Sequence, residues 1–405
     1  MRLALIGKRL VTPFRILDDA VVLVEGGRIE AIGDKSILSR YKVKAIDVSG
    51  HLIAPGFIDL HLHGGGGHDV MEGTLDALET IAETHARGGT TAFLATTLTA
   101  PMDEIQTALE AISKACVSEE IAGARILGAH LEGPYLNPKQ AGAQNPEYLR
   151  IPDPKELENL LKKCPFLKRV TLAPELPGGL ESGRLLRAHN VMASIGHSDA
   201  TYQQVLEAVE AGFSHVTHLF SATSSVRRLK AYRFAGVVEA TMLLDSLSTE
   251  LIADGHHLPP SLIRLAIKTK GTGRVCAVTD AISAAGLGPG EYELGGLPII
   301  VENEVPPDYE VHPPEGSCVA KLADRSAFAG SVALMNQVLQ TLVNLVGLPL
   351  TEAIKMVTWT PAHILGISHE RGSLAPNMRA DIVVLDENLS VKMTMVEGRV
   401  VYQKP

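Results

Sequence analysis

Histidines and carboxylates recur in this chain directly after short apolar runs. They are His61 with His63, then Glu132, His197, His218 and Asp280. Imidazole and carboxylate groups bind divalent metal ions, and a set without cysteine suits Zn, Fe(II), Mn or Co in a hydrolytic site. A single polar residue at a strand end need not bind a metal. Five separate strand ends that present His, Glu, His, His and Asp predict a shared metal site.

These residue types predict metal-assisted hydrolysis. A divalent metal lowers the pKa of bound water toward about 7 and can polarise a carbonyl group. An acid/base residue must then take the water proton and deliver it to the leaving group. Asp280 is the candidate for this role, and a further metal ligand is its alternative role, which can coexist with the first. His61 and His63 are two residues apart, so on a strand they point to the same side.

Bringing these residues together requires strands that end at one edge. The middle of the chain alternates helical patterns with eight strand candidates, which are 51–58, 91–95, 125–130, 169–173, 192–195, 215–218, 249–253 and 275–279. This alternation predicts a (β/α)8 barrel over residues 54–370, whose catalytic groups would lie at the C-terminal ends of the strands. A doubly wound sheet has the same periodicity, but no GxGxxG opens a helix after the first strand.

Both ends of the chain are rich in strand patterns. The segments 20–25 and 28–32 form a predicted hairpin around Gly26-Gly27, and 381–385, 392–396 and 399–402 form similar strands near the C-terminus. We therefore predict a small β-sandwich domain built from residues 1–53 and 371–405. A Pro-rich stretch at 305–316 predicts a surface loop.

Composition excludes several classes of function. The 405 residues carry a net charge of −9 and 4% aromatic residues, which argues against nucleic-acid binding. The four cysteines form no CxxC pair, so a reduced cytoplasm is the expected location. No window holds about 18 uninterrupted apolar residues, and no membrane span is expected.

The ordered residues above resemble those of the amidohydrolase superfamily. Flanking segments resemble one branch of it, the N-acetylglucosamine-6-phosphate deacetylase family. The matching stretches include PGFIDLHLHGGGG at 55–67, GAHLEGPYLNPKQAGAQ at 128–144, SIGHSDATY at 194–202, ELIADGHH at 250–257 and VTDAISAAGLGPGEYELGG at 278–296. The resemblance covers nearly the whole chain.

This resemblance implies a homodimeric barrel enzyme that removes acetate from the amide of an amino-sugar phosphate. It implies that Glu132, His197 and His218 hold a metal and that Asp280 is the catalytic carboxylate. Because His61 and His63 are both present, a second metal bridged by Glu132 is expected, so one or two ions of Zn or Fe(II) are predicted, with Mn, Co or Ni as alternatives. The substrate-binding positions that it implies are His257, Gln144, Ser221 and Ala222.

The chain departs from the family pattern where the substrate phosphate binds. Ser221 replaces an asparagine, and an REPG segment, whose arginine binds the phosphate, is absent. A basic stretch with Arg228 and Lys230 could form a phosphate site instead, or it is a solvated loop. Three alternatives therefore stay open: N-acetylgalactosamine 6-phosphate as substrate, an unphosphorylated acetamido sugar, or an inactive barrel scaffold.

Overall fold

A nearly closed barrel of eight parallel strands forms the centre of the computed structural model, which describes residues 2–306, 309, 313, 314 and 316–404. The first to eighth barrel strands are Phe57–Leu62, Thr90–Thr96, Arg125–Glu132, Leu167–Leu172, Met192–Ile195, Phe213–Val216, Ser248–Ile252 and Val275–Val278. Their order in the sheet follows the chain. A parallel bridge between Leu62 and Ala281 links the first strand to the segment after the eighth. The predicted (β/α)8 barrel is confirmed.

Helices cover the outside of the barrel, which explains why its strands read as continuous apolar runs. Those between the strands are Leu75–Arg87, Met102–Val117, Pro154–Lys163, Gly179–Ala188, Tyr202–Ala211, Val237–Leu243 and Pro260–Lys270. After the eighth strand come Met335–Gln340, a π-helical turn at Thr341–Leu345, Leu350–Val357 and Trp359–Ile364. In the described part of the chain, no helix combines the length and the apolar content that a membrane span needs.

Strands from both termini pair in one separate eight-stranded sheet, as the terminal patterns predicted. They are Leu3–Val11, Ile16–Asp18, Val21–Glu25, Arg28–Gly33, Lys44–Pro55, Ile382–Leu385, Val391–Val396 and Arg399–Gln403. The single strand predicted at 51–58 is wrong, because the chain changes sheets at Gly56. A Cβ atom at Gly56 would lie 2.2 Å from the Thr91 side chain. The domain boundaries at 53 and 370 stay predictions.

Two smaller features flank the mouth of the barrel. A three-stranded antiparallel sheet, Gly290–Leu294, Leu297–Glu302 and Val319–Leu322, packs on Leu98 and Ile282. A two-stranded ribbon, Arg227–Leu229 with Tyr232–Phe234, holds the basic stretch. The Pro-rich loop predicted at 305–316 lies partly outside the described residues, so that prediction stays untested.

Candidate functional site

Glu132 lies at the centre of the predicted metal ligands. It is the last residue of the third barrel strand and is buried. Its Oε2 atom lies 3.4 Å from His61 Nε2 and 3.3 Å from His63 Nε2. Its Oε1 atom lies 3.0 Å from His218 Nε2 and 3.3 Å from His197 Nε2. The two oxygens therefore face two separate histidine pairs.

Asp280 completes the group beside the first pair. Its Oδ1 atom lies 3.3 Å from His61 Nε2 and 3.2 Å from His63 Nε2. All six predicted side chains thus meet within one buried cluster, although they come from five separate strand ends. His130 lies two residues before Glu132 on the same strand. Its imidazole is directed to Thr171, whose hydroxyl oxygen is 2.7 Å from His130 Nε2.

The outer nitrogen of each ligand histidine faces a hydrogen-bond acceptor. The Nδ1 partners are Glu250 Oε1 at 2.8 Å from His61, Thr96 O at 3.2 Å from His63, Gln140 O at 2.8 Å from His197 and Ser221 O at 3.0 Å from His218. An oxygen acceptor at Nδ1 favours the tautomer with its proton there. The Nε2 lone pairs then converge on the centre of the site.

This convergence fits divalent metal ions. Nε2 of His61 and Nε2 of His63 are 3.2 Å apart, and the Nε2 atoms of His197 and His218 are also 3.2 Å apart. Two Zn–N bonds of about 2.1 Å at a tetrahedral angle place their nitrogens about 3.4 Å apart. His61, His63 and Glu132 could hold one ion, and Glu132, His197 and His218 could hold a second.

A third group of ligand types, His215, Glu250 and Cys276, does not fit a metal ion. Arg169 already occupies both oxygens of Glu250, with contacts of 2.5 Å and 2.9 Å from its terminal nitrogens. A guanidinium cation so close to the carboxylate would repel a second cation. The charge of Glu250 is therefore balanced by the chain itself.

Burial and opposite charges set the protonation of the site when no ion is bound. Burial would raise the pKa of Glu132, but the surrounding imidazoles hold that pKa well below its ordinary value. Burial would lower the pKa of His63, but hydrogen bonds with Asp280 and Glu132 raise it to about 9. The pKa of Asp280 is lowered by His61 and His63 against the effect of burial. Protonated imidazoles therefore balance the negative charges of Glu132 and Asp280 when no ion is bound, and metal ions could balance them instead.

Three of the site residues adopt left-handed backbone conformations that side chains rarely take. The φ angles are 47° at His197, 28° at His218 and 50° at Asp280. Neighbouring segments hold these turns: Asn137 donates its backbone N–H to the His197 carbonyl at 2.9 Å, and Ser331 donates to the Asp280 carbonyl at 2.7 Å. Such strain is common where a fold positions functional groups.

A cavity of about 330 Å³ opens above the cluster. Gln144 lines it and donates its amide N–H to Glu132 Oε2 at 2.8 Å, while its Oε1 atom accepts from Thr99 N at 2.8 Å. His257 also lines it, with Nδ1 bonded to Asp254 at 2.8 Å and its ring against Phe328 at 4.7 Å. Ser221 and Ala222 complete the predicted positions in the wall.

Arg228 and Lys230 do not line this cavity, and no Lys or Arg stands among the described residues that do. Both are exposed on the ribbon. Sequence analysis also missed Asp254 and Phe328, which hold and cover His257. Asp254 lies inside the ELIADGHH stretch and could have been found there, whereas the role of Phe328 depends on a contact across the fold.

Comparisons with known proteins show which family the chain resembles over most of its length. The model of the amidohydrolase family matches residues 52–401. An N-acetylglucosamine-6-phosphate deacetylase of Vibrio furnissii is 36% identical over 386 residues, which are 95% of this chain and 91% of that protein. An N-acetylgalactosamine-6-phosphate deacetylase of Escherichia coli O157:H7 is 34% identical over 97% of both chains.

Solved structures show the same similarity. An N-acetyl-D-glucosamine-6-phosphate deacetylase mutant from Mycobacterium smegmatis, in complex with N-acetyl-D-glucosamine-6-phosphate, has a TM-score of 0.88 at 31% identity and covers 99% of this chain and 100% of its own. An N-acetylglucosamine-6-phosphate deacetylase from Pasteurella multocida has a TM-score of 0.89 at 29% identity, with 100% of both chains covered.

Proposed function

The chain belongs to the amidohydrolase family, and from this premise we propose that it hydrolyses the acetamide of N-acetylglucosamine 6-phosphate. Water adds its oxygen to the acetyl carbon, the C–N bond breaks, and acetate and glucosamine 6-phosphate leave. The observation that supports the proposal best is the convergence of four Nε2 lone pairs on Glu132 beside Asp280. The deacetylases named above, similar over nearly their whole length, support the choice of substrate.

We propose that each chain binds two divalent ions, Zn or Fe(II) before Mn, Co or Ni. His61, His63 and Glu132 would hold one, and Glu132, His197 and His218 would hold the other. Such ions lower the pKa of water and polarise the acetamide carbonyl. Asp280 is ionised near neutral pH because neighbouring imidazoles lower its pKa. Its carboxylate takes the proton from the attacking water and passes it to the departing amine nitrogen.

Substrate contacts are assigned to the cavity wall. His257 has its Nδ1 atom fixed by Asp254, so its other ring nitrogen is free to bond a sugar oxygen. Gln144 shares its amide between Glu132 and Thr99, and it places a polar group beside the acetamide. Ser221 and Ala222 also line the cavity. Each of these roles is assigned because the residue occupies the matching position in the family that the chain resembles.

The phosphate group needs cations that the cavity of one chain does not supply among its described lining residues. The ribbon carries Arg228 and Lys230, and its Leu229 and Tyr232 are 50% and 73% exposed. An isolated two-stranded ribbon is only marginally stable in water, and its exposed apolar side chains favour a covering partner. We therefore propose a homodimer in which the ribbon of one chain reaches the cavity of the other. The cytoplasmic location that we also propose depends on the cysteine pattern alone.

N-acetylgalactosamine 6-phosphate is the second candidate substrate. The specific observation in its favour is the similarity to the Escherichia coli O157:H7 protein, which is as extensive as that to the N-acetylglucosamine-6-phosphate deacetylases. The two sugars differ only in the configuration of one hydroxyl group. Discrimination between them would depend on a few contacts in the cavity wall.

Acetate release tests the proposal. We would compare zinc-loaded protein on the two sugar phosphates and on free N-acetylglucosamine, and we expect turnover of a phosphorylated sugar and at least tenfold less of the free sugar. Asp280→Asn should abolish turnover and keep the bound metal. The double variant R228A/K230A should raise KM for the phosphorylated sugar, whereas the control R399A/K404A, changed on the exposed terminal sheet, should not. Metal-loaded protein that releases no acetate from any of these sugars would refute the substrate assignment.

A further inference from the structure

A fully buried ion pair lies beneath the ligand cluster, inside the barrel. Arg169 comes from the fourth barrel strand and Glu250 from the seventh, and neither side chain is exposed to solvent. Two contacts of 2.5 Å and 2.9 Å join the guanidinium to the carboxylate. Removing two charges from water is costly, and an apolar pair of similar size would fill a barrel core at lower cost. The position of the pair therefore calls for another explanation.

The pair touches the ligand cluster from behind, through His61. Glu250 Oε1 accepts the Nδ1 proton of His61 at 2.8 Å, opposite the Nε2 atom that faces Glu132 and Asp280. The same oxygen is 3.3 Å from the backbone N–H of His218, which helps to hold it at this level of the barrel. The other three ligand histidines give their Nδ1 protons to backbone carbonyls, as described above. His61 alone among the four has a carboxylate partner at Nδ1.

We propose that Glu250, held by Arg169, is the positioning residue that makes His61 the strongest imidazole ligand of the site. A carboxylate at Nδ1 fixes the tautomer and the ring orientation and raises the basicity of Nε2. Arg169 offsets the charge of this carboxylate, so the charge that attracts ions stays with Glu132 and Asp280. The inference rests on the proposed function and deepens it. It makes the binding of the ion at His61 and His63 depend on Glu250, a residue that is not itself a predicted ligand.

Two variants remove the carboxylate charge without removing its volume. Glu250→Gln keeps an oxygen that can accept from His61, but it leaves Arg169 without a counter-charge. The double variant R169Q/E250Q removes both charges and so leaves no buried charge unpaired. His215→Gln is the matched control, because His215 is buried and contacts Glu250 Oε2 at 3.3 Å without being among the predicted ligands of the site. Circular dichroism would establish that each variant is folded.

The readout is the zinc affinity of each ion, measured by equilibrium dialysis against a graded chelator. Backgrounds His63→Gln and His197→Gln each lack one ligand group and so identify the ion that remains. We expect Glu250→Gln, or the double variant if the single one does not fold, to weaken the His61/His63 ion by about tenfold to a hundredfold. On the His63→Gln background, Glu250→Gln should change the affinity of the remaining ion by less than about twofold. This is well below the tenfold lower limit expected for the other ion.

The outcomes separate this inference from the proposed function. An unchanged affinity of the His61/His63 ion in the double variant overturns the inference, and so does an equal loss of both ions, which would indicate a purely structural pair. A comparable loss in the His215→Gln control would also overturn it. Wild-type protein that binds no zinc, or that binds zinc and releases no acetate, would instead contradict the proposed function.

Discussion

The protein without metal should lose stability as the pH rises from about 6.5 to 9. Burial alone would lower the pKa of His63, but Asp280 and Glu132 raise it to about 9 from an ordinary value of 6.5. A group whose pKa is raised by folding stabilises the folded state fully below its unfolded pKa, and this contribution is lost as the pH rises through the folded pKa. The difference corresponds to about 3 kcal/mol.

Urea unfolding of chelator-treated protein at pH 6.5 and pH 9 measures this effect. The zinc-saturated protein, measured in parallel, should not show the same fall, because a ligated imidazole carries no proton at Nε2. The chelated His63→Gln variant is the matched control, since it lacks this titrating group and should show a smaller fall, while the neighbouring His61, whose pKa is also raised, remains. Equal free energies of unfolding at the two pH values for the chelated wild type would refute the reasoning, as would an unchanged fall in His63→Gln.

Two further predictions concern residues that the chemistry does not use directly. Gly64→Ala should lower the zinc affinity at His61 and His63 by at least about tenfold in the same dialysis. The new Cβ would lie 2.4 Å from His68 O and 2.7 Å from Ser283 N, so the backbone beside His63 would have to shift. The control Gly288→Ala has nothing within 4 Å of its Cβ and should leave the affinity unchanged. Arg371→Met should lower the free energy of unfolding by about 3–5 kcal/mol, because it leaves buried Asp381 without its ion-pair partner. The exposed control Arg399→Met should cost less than about 1 kcal/mol in the same urea titration, and a loss that small in Arg371→Met would contradict the reasoning.

The barrel could be predicted because its strands obey a simple rule. Parallel strands covered on both faces appear as short apolar runs, and Thr90–Thr96 is buried at every position. The boundary near Gly56 could not be predicted in the same way, since the buried end of one strand, 53–55, is followed by a fully buried strand of another sheet without a polar break. The three-stranded sheet from Gly290 was missed because its strands are half exposed and lie outside the regular alternation.

The clustering of the candidate ligands could be predicted because a barrel brings the C-terminal ends of its strands together, whatever their separation in sequence. The residues that orient those ligands follow no such rule. Gln140 and Ser221 act through backbone carbonyls, which any residue type provides. Arg169 and Glu250 point into the barrel from strands 81 residues apart, and no local spacing connects them. Their contacts depend on the closure of the barrel.

The charges around the candidate ligands bear on the proposed number of ions. Glu132, Asp280 and Glu250 are the three carboxylates in contact with the His61 imidazole, and Arg169 offsets one of them. One divalent ion would neutralise the remaining two, and a second ion would make the centre positive. Such a centre would favour the negative charge that develops on an acetamide oxygen and the charge of the acetate that follows. A scaffold without chemistry would gain nothing from this excess of positive charge, and the arrangement therefore supports hydrolysis over a purely structural barrel.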